Sequence, residues 1–257
     1  MNNEMKPNIL ALDFDGVICD GLIEYFASTQ RAYQQIWSSD AADSHAPDFY
    51  KLRPVIETGW EMPILLRALV LGVSQTDILD DWKSTSLELL RAEGLDKAEV
   101  VQKLDGVRDS WIKNNLDEWL GLHRFYPGVI ERLQQILNSD LTLYIVTTKE
   151  GRFVKQLLQQ QGLDLPRDRI IGKESKRPKY ETLRIIRDSN TSKLNIFFVE
   201  DRIKALQQVA QQPDLDFVRL FLADWGYNLE SDRTLASQDQ RINLLSLEQF
   251  SQPFNTW

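Results

Sequence analysis

The sequence is poor in the residues that build disulfides and soft-metal sites, with one cysteine and two histidines among 257 residues. The single Cys19 excludes an internal disulfide and is typical of a reducing compartment. We interpret Cys19 as a small core residue. His45 and His123 lie far apart and form no metal-ligand pair at a known spacing, so we expect surface or structural roles for both.

Long apolar runs and an excess of positive charge are also missing. The most apolar stretch, residues 64–73, is interrupted by Arg67 and is too short to span a bilayer. The N-terminal residues 1–7 carry no apolar signal region, so we expect a cytoplasmic protein without a membrane partner. The net charge of −8 argues against nucleic-acid binding. A small phosphorylated substrate is compatible with that charge, because a metal ion and a few cations make one cleft locally positive.

The second part of the chain alternates apolar strand patterns with helical patterns. Including the run near the N-terminus, strands are predicted at residues 9–12, 141–146, 170–171, 194–199, 217–222 and 242–244. Helical patterns separate the strands from residue 121 onward. This alternation predicts βαβ units and therefore an α/β fold with a doubly wound parallel sheet.

Residues 21–120 have a different pattern, with helical spacing of apolar residues and no clear strand. Helices are predicted from the patterns in residues 23–37, 78–89 and 100–111, and a buried helix from the almost continuously apolar residues 64–71. We therefore expect a core of residues 1–20 and 121–257, with an all-helical domain of residues 21–120 inserted after the first strand.

Two aspartates follow the first predicted strand at alternate positions. Asp13 and Asp15 would point to the same side of an extended segment, at the carboxyl end of a buried strand, where open α/β sheets bind ligands. Two close carboxylates are unfavourable unless a cation neutralises them or one carries a proton. A divalent metal beside a nucleophile and an acid/base group satisfies that requirement.

The segment Asp13-Phe14-Asp15-Gly16-Val17 resembles the first motif of the haloacid dehalogenase superfamily. The resemblance implies a Rossmann-like catalytic core with residues 21–120 as a helical cap. It also implies that Asp13 is the nucleophile and Asp15 the general acid/base. Dehalogenases of the superfamily lack this second acid and phosphonatases replace it, so C–Cl and C–P cleavage are disfavoured.

The second and third motifs of the superfamily also have counterparts. Thr147, at the end of an apolar strand, matches the hydroxyl residue that binds a phosphoryl oxygen, and Thr148 beside it is a candidate substrate contact. The third motif is a lysine near a helix start. Lys179 is our choice because it directly follows a proline, with Arg177 and then Lys176 as alternatives.

The fourth motif supplies metal ligands after a central strand. The resemblance implies that Asp201 binds Mg²⁺ directly, together with the Asp13 carboxylate and the backbone carbonyl of Asp15. The commonest form has a further aspartate four or five residues on, which is absent here. The sequence is more similar to the variant with two adjacent acids, so Glu200 takes a second, water-mediated place in this interpretation.

The segment Trp225-Gly226-Tyr227-Asn228, after the next strand, is similar to one in phosphoglycolate-phosphatase-like members. We expect Trp225 and Tyr227 to be structural. In the inserted domain, a polar turn before the most apolar helix carries hypothetical substrate contacts: Arg53 for a carboxylate or second phosphate, and Glu57 or Glu61 for sugar hydroxyls. The alternative for that turn is a solvated helix start.

Together the resemblances imply a Mg²⁺-dependent phosphatase that hydrolyses a small phosphorylated metabolite through an aspartyl-phosphate. We expect a monomer or a small homo-oligomer. Two alternatives stay open: a phosphomutase, and a binding or regulatory protein that keeps the fold without turnover.

Overall fold

The computed structural model describes residues 6–40, 43–190 and 194–257. Residues 1–5, which belong to the segment predicted to carry no signal region, lie outside the described residues. The chain forms two compact units. One comprises the residues up to Asp20 together with Arg124–Trp257, and the other is Gly21–His123.

The first unit is built around a parallel sheet. The described residues contain eight strands: β1 (Ile9–Leu12), β2 (Cys19–Asp20), β3 (Arg124–Phe125), β4 (Thr142–Val146), β5 (Ile170–Ile171), β6 (Ile196–Glu200), β7 (Arg219–Ala223) and β8 (Ile242–Leu245). Six of them form one sheet in the order β5-β4-β1-β6-β7-β8, and all paired neighbours are parallel. The predicted α/β fold with a doubly wound parallel sheet is confirmed.

The first strand lies in the middle of this sheet because all four of its side chains are apolar and can be buried on both faces. Leu12 pairs with Ile145 of β4 and with Val199 of β6. This register aligns the carboxyl ends of three neighbouring strands. The residues that follow them therefore meet at one edge of the sheet.

The second unit is helical, and its described residues contain no strand. Its helices are α1 (Leu22–Trp37), α2 (Ala46–Leu52), α3 (Glu61–Val70), α4 (Gln75–Asp80), α5 (Trp82–Ala92), α6 (Lys97–Asn114) and α7 (Leu116–Leu120). Eight of the ten side chains of α3 are buried, which agrees with its apolar sequence. The prediction of a single helix over residues 78–89 was wrong, because these residues belong to the two helices α4 and α5. The Asp81 side chain accepts a hydrogen bond from the Ser84 N–H and starts a new helix there.

The helical unit ends at His123 rather than at residue 120. The His123 ring lies 4.7 Å from the Trp119 ring, centroid to centroid. Its Nδ1 is 3.2 Å from the Trp119 carbonyl oxygen. These local contacts pack the connecting residues against α7, which explains why a buried histidine marks the boundary.

In the sheet unit, the described residues form six further helices: α8 (Val129–Leu137), α9 (Gly151–Gln160), α10 (Lys179–Asp188), α11 (Ile203–Ala210), α12 (Glu230–Gln238) and α13 (Leu247–Phe250). Sequence patterning missed α12, whose only buried side chain is Ala236, so it has no apolar stripe to detect. It also missed the antiparallel pair of β2 and β3, which are too short to show a period. Among the described residues, no helix has the length and apolar character needed to cross a membrane.

Candidate active site

The loop after β1 begins with a turn that requires glycine. Gly16 has a φ of +87°, and its N–H donates a hydrogen bond to the Cys19 carbonyl at 2.8 Å. A Cβ at this position would lie 2.2 Å from Oδ2 of Asp201. The backbone after β1 therefore approaches the side chain after β6 more closely than any other residue type allows.

Substitution of Gly16 is expected to lower the free energy of unfolding through a clash with Asp201 as well as through backbone strain. Gly16→Ala should lower the free energy of unfolding by about 1–3 kcal/mol more than Gly162→Ala. Gly162 is the matched control, because it also has a positive φ (+73°) but no atom within 4 Å of an added Cβ. Urea denaturation of both variants measures the difference. Equal losses would contradict the close contact with Asp201.

Asp201 is fixed by the segment that follows β7. Its Oδ2 accepts a hydrogen bond from the Tyr227 N–H at 2.8 Å, and its carbonyl accepts one from Asn228 Nδ2 at 3.1 Å. A Cβ on Gly226 would lie 2.3 Å from the Asp201 Cβ and 2.5 Å from the Gly16 carbonyl oxygen. Sequence reasoning assigned no role to Gly226 or Asn228. The available signal was a glycine and an amide residue directly after a strand at the expected edge.

Trp225 and Tyr227 hold the loop after β1 through their polar atoms. Trp225 Nε1 donates to the Val17 carbonyl at 3.2 Å, and the Tyr227 hydroxyl donates to Asp20 Oδ1 at 2.8 Å. Both side chains thus contact the segment that carries Asp15. These contacts give the two aromatic residues the structural roles expected of them.

Three carboxylates converge at the sheet edge. Asp13, Glu200 and Asp201 each place one oxygen within 4.8 Å of the others, and all three residues are buried. Burial raises the pKa of Asp13 and that of Glu200 to about 7, although the nearby Lys179 charge opposes the rise. Burial also raises the pKa of Asp201, and the Asp13 charge adds to the effect. The cluster is therefore short of positive charge.

Lys179 supplies one cation to this cluster. It is the first residue of α10, after Pro178, and its Nζ lies 2.9 Å from Asp13 Oδ1 and forms an ion pair with Glu200. Burial alone would lower the pKa of Lys179, but the Asp13 and Glu200 charges offset burial and raise the pKa. The other two candidates for the third motif, Lys176 and Arg177, are both exposed.

The end of β4 brings a hydroxyl and a second lysine to the same edge. Thr147 is buried, and its Oγ1 accepts a hydrogen bond from the Lys149 N–H at 3.2 Å, which leaves the hydroxyl proton available for donation. Thr148 is exposed. Lys149 Nζ lies 3.2 Å from Asp15 Oδ1. The sequence analysis did not identify Lys149. The signal that was available is its position, two residues after the predicted Thr147.

The substrate contacts hypothesised for the helical unit have local partners there. Arg53 Nη1 donates to the Ile56 carbonyl at 3.1 Å, and its guanidinium lies 4.9 Å from the centroid of the Tyr25 ring. The Glu57 side chain is exposed, while Glu61 Oε2 accepts hydrogen bonds from the Glu57 and Thr58 N–H groups at 2.6 and 2.7 Å. Glu61, a further candidate for bonding substrate hydroxyls, therefore holds the turn that precedes α3. The roles of Arg53 and Glu57 stay predictions.

The chain is similar to several solved structures over nearly its whole length. A protein from Haemophilus somnus named a predicted phosphoglycolate phosphatase has 16% identity and a TM-score of 0.60, with 98% of this chain and 97% of that chain covered. A predicted phosphatase from Clostridium acetobutylicum has 15% identity and a TM-score of 0.59, with 95% and 96% covered. Protein tyrosine kinase A from Mycobacterium tuberculosis has 13% identity and a TM-score of 0.58, with 95% of each chain covered. At these identities the likeness establishes the fold alone.

No curated protein matches the sequence. The sequence model of the haloacid dehalogenase-like hydrolases does match, over residues 72–219. That range covers more than half of the chain and includes Thr147, Lys179 and Asp201. The Asp13 segment lies before it and is joined to the matched residues by the sheet register and by the contacts of Lys179 and Gly16. The chain therefore belongs to the haloacid dehalogenase-like hydrolases.

Proposed function

We propose that this hydrolase is a Mg²⁺-dependent phosphatase acting on a small phosphorylated metabolite through an aspartyl-phosphate on Asp13. The observation that carries the proposal is the position of Lys179, whose ammonium lies between Asp13 and Glu200. A buried cation beside a buried carboxylate orients that carboxylate and offsets the negative charge of an approaching phosphoryl group.

In the first half of the reaction, an oxygen of Asp13 attacks phosphorus and forms a new P–O bond while the bond to the leaving oxygen breaks. The protonated Asp15 gives its proton to that leaving oxygen, and the product alcohol departs. The Thr147 hydroxyl donates a hydrogen bond to one phosphoryl oxygen, and Lys179 offsets the charge that develops on the others.

In the second half, Asp15 acts as a base. It removes a proton from a water molecule, and the water oxygen attacks the phosphorus of the aspartyl-phosphate. The bond between phosphorus and the Asp13 oxygen breaks, so inorganic phosphate leaves and Asp13 is regenerated as a carboxylate. Asp15 is left protonated, as at the start. This covalent route divides one difficult displacement into two easier ones.

The donor set fits Mg²⁺, because hard cations take carboxylate and carbonyl oxygens. Within the part of the chain that the structure describes, Lys179 pairs with two of the three buried carboxylates, and a divalent cation would neutralise the negative charge that remains. Asp13, Asp201 and the backbone carbonyl of Asp15 would hold the ion, which when bound neutralises phosphoryl oxygens during transfer. Glu200 already bonds Lys179 and accepts a hydrogen bond from the Arg202 N–H at 3.1 Å. We therefore assign Glu200 the positioning of Lys179 in addition to its place in the acidic cluster.

The buried carboxyl groups predict how stability changes with pH. Asp13 and Glu200 have pKa values of about 7 in the folded chain, against values near 4 for exposed carboxyls. The folded state therefore binds more protons between about pH 4 and about pH 7, and the free energy of unfolding falls as pH rises through that window. We expect a lower Tm in EDTA at about pH 8 than at about pH 5.

Mg²⁺ should raise Tm more at about pH 8 than at about pH 5, because metal binding needs ionised carboxylates. Thermal unfolding with EDTA and with Mg²⁺ measures both effects. Glu200→Gln serves as the control and should flatten the pH dependence seen in EDTA. A Tm in EDTA that rises steadily from about pH 5 to about pH 8 would contradict the raised pKa values.

The function is tested by measuring phosphate release from p-nitrophenyl phosphate and from a panel of phosphorylated metabolites, with Mg²⁺ and with EDTA. We expect Mg²⁺-dependent release and a preference for some of the metabolites. Interconversion of sugar phosphates without phosphate release would instead indicate a phosphomutase. Binding of a phosphorylated ligand without any turnover would indicate a protein that keeps the fold for recognition.

A further inference from the structure

Asp15 has a shielded cationic partner that sequence reasoning did not find. Lys149 Nζ lies 3.2 Å from Oδ1 and 3.4 Å from Oδ2 of Asp15. The side chains are only 9% and 18% exposed, respectively. An ion pair removed from water is screened less than a surface pair. It also restricts the rotation of the carboxylate more strongly, since both oxygens face the same ammonium.

The backbone of Lys149 is held on both sides. Its N–H donates to Thr147 Oγ1 at 3.2 Å, and its carbonyl accepts a hydrogen bond from the Lys173 N–H at 2.9 Å. The next residue but one, Gly151, donates its N–H to Glu174 Oε2 at 3.1 Å. The loop after β4 is therefore bonded to the loop after β5 at two points.

Glycine at position 172 allows these two loops to touch. A Cβ on Gly172 would lie 2.4 Å from the Gly151 nitrogen and 2.7 Å from the Lys149 carbonyl oxygen. Both atoms belong to the backbone and cannot move aside cheaply. The close approach sets where the Lys149 side chain begins and, with it, where the ammonium can reach.

We propose that Lys149 is a positioning residue that holds the Asp15 carboxylate at the place from which it exchanges protons with the leaving group and with water. The inference rests on the role proposed for Asp15 above. Both proton transfers pass through the carboxyl group of Asp15, so a displaced Asp15 slows both halves of the reaction. The Lys149 ammonium donates to an oxygen of this group both when Asp15 carries the proton and when it is a carboxylate. Lys149 acts through Asp15, so its loss affects turnover more than substrate binding.

The first arm of the test is structural. A crystal structure of Lys149→Met, a substitution that keeps the length of the side chain and removes the charge, should show the Asp15 carboxylate rotated away from its present position. If Lys149→Met does not fold, Lys149→Gln takes its place. An unmoved Asp15 in either variant overturns the inference, whether or not the protein is a phosphatase.

The second arm is kinetic. Lys149→Met should lower kcat by about 10²-fold, the loss expected from a misplacement of about 1 Å, while KM changes by less than about twofold. The loss should be larger for alkyl phosphates than for p-nitrophenyl phosphate, whose leaving group needs less protonation. Lys149→Arg should restore part of kcat, because it keeps the charge. Merely structural damage would not depend on the leaving group.

The matched control is Lys155→Met, the same substitution at a half-exposed lysine of α9 that lies 4.0 Å from Asp164. Its kcat and KM should equal those of the wild type. A raised KM with unchanged kcat in Lys149→Met would overturn the inference, because it would make Lys149 a direct substrate contact. A wild-type protein without phosphatase activity would refute the proposed function, and the crystal structures would still decide whether Lys149 positions Asp15.

Discussion

Asp13→Asn is expected to lower phosphate release by at least about 10³-fold, the scale on which removal of a catalytic nucleophile acts. An amide oxygen cannot form the acyl phosphate at a useful rate. The change is nearly isosteric, and it removes a buried carboxyl group whose pKa is raised to about 7 by burial. We therefore expect the variant to fold. Steady-state phosphate release and thermal unfolding, measured on the same preparation, separate loss of chemistry from loss of structure.

Comparing Asp15→Asn with Asp13→Asn distinguishes the acid/base role of Asp15 from the nucleophilic role of Asp13. The Asp15→Asn variant keeps the nucleophile Asp13, so a substrate with a good leaving group should still phosphorylate the chain, whereas the covalent intermediate should persist without its base. Rapid quenching and detection of phosphate bound to Asp13 measures the intermediate. Normal turnover by Asp13→Asn, or phosphate bound elsewhere on the chain, would rule out the mechanism.

Asp201→Asn is expected to remove the response to Mg²⁺. An amide at this position can still accept the hydrogen bond from the Tyr227 N–H, so the loop after β7 should keep its contact. The site loses one of three clustered carboxylates. Half-maximal activity should require more than about 10²-fold higher Mg²⁺, because outer-shell changes alone cost about 10–100-fold. The Mg²⁺-induced rise in Tm, which reports binding without turnover, should disappear.

Asp224→Asn provides the matched control for Asp201→Asn. Asp224 directly follows β7 at the same edge of the sheet, and burial raises its pKa. Among the described residues, however, the group that could hold a metal does not include it. Its response to Mg²⁺ should equal that of the wild type. Equal losses in the two variants would mean that general negative charge at the edge, rather than Asp201, governs the metal response.

The strand pattern predicted the fold class and the edge at which the site lies, for a local reason. An apolar run such as residues 9–12 can be buried only inside the sheet, and parallel strands bring their carboxyl ends to one side. Any polar residue directly after such a run must therefore lie near the others. The positions of Asp13, Thr147 and Asp201 follow from this rule. This rule could not predict the β2 and β3 strands, because two residues are too few to show an apolar period.

The helical unit shows where the same reasoning weakens. Apolar spacing found the buried α3 helix, but the pattern over residues 78–89 belongs to two helices because a capping bond at Asp81 interrupts it. The sequence made Glu61 a candidate for bonding substrate hydroxyls. Its carboxylate instead accepts hydrogen bonds from backbone N–H groups of the preceding turn, and these depend on how that turn is folded.

The α/β fold, the order of the motifs and the strand ends that carry them could be predicted from the sequence, because these depend on local patterns of apolar residues. Which basic residue reaches Asp13 could not be predicted in this way and depends on the folded chain. Lys176 and Arg177 are exposed, while Lys179, the first residue of α10, places its ammonium 2.9 Å from Asp13 Oδ1. The tertiary structure also paired Lys149 with Asp15, 134 residues away in sequence, and packed Gly226 against Asp201. Contacts of this kind depend on how closely loops from different strands approach, and no local pattern records that distance.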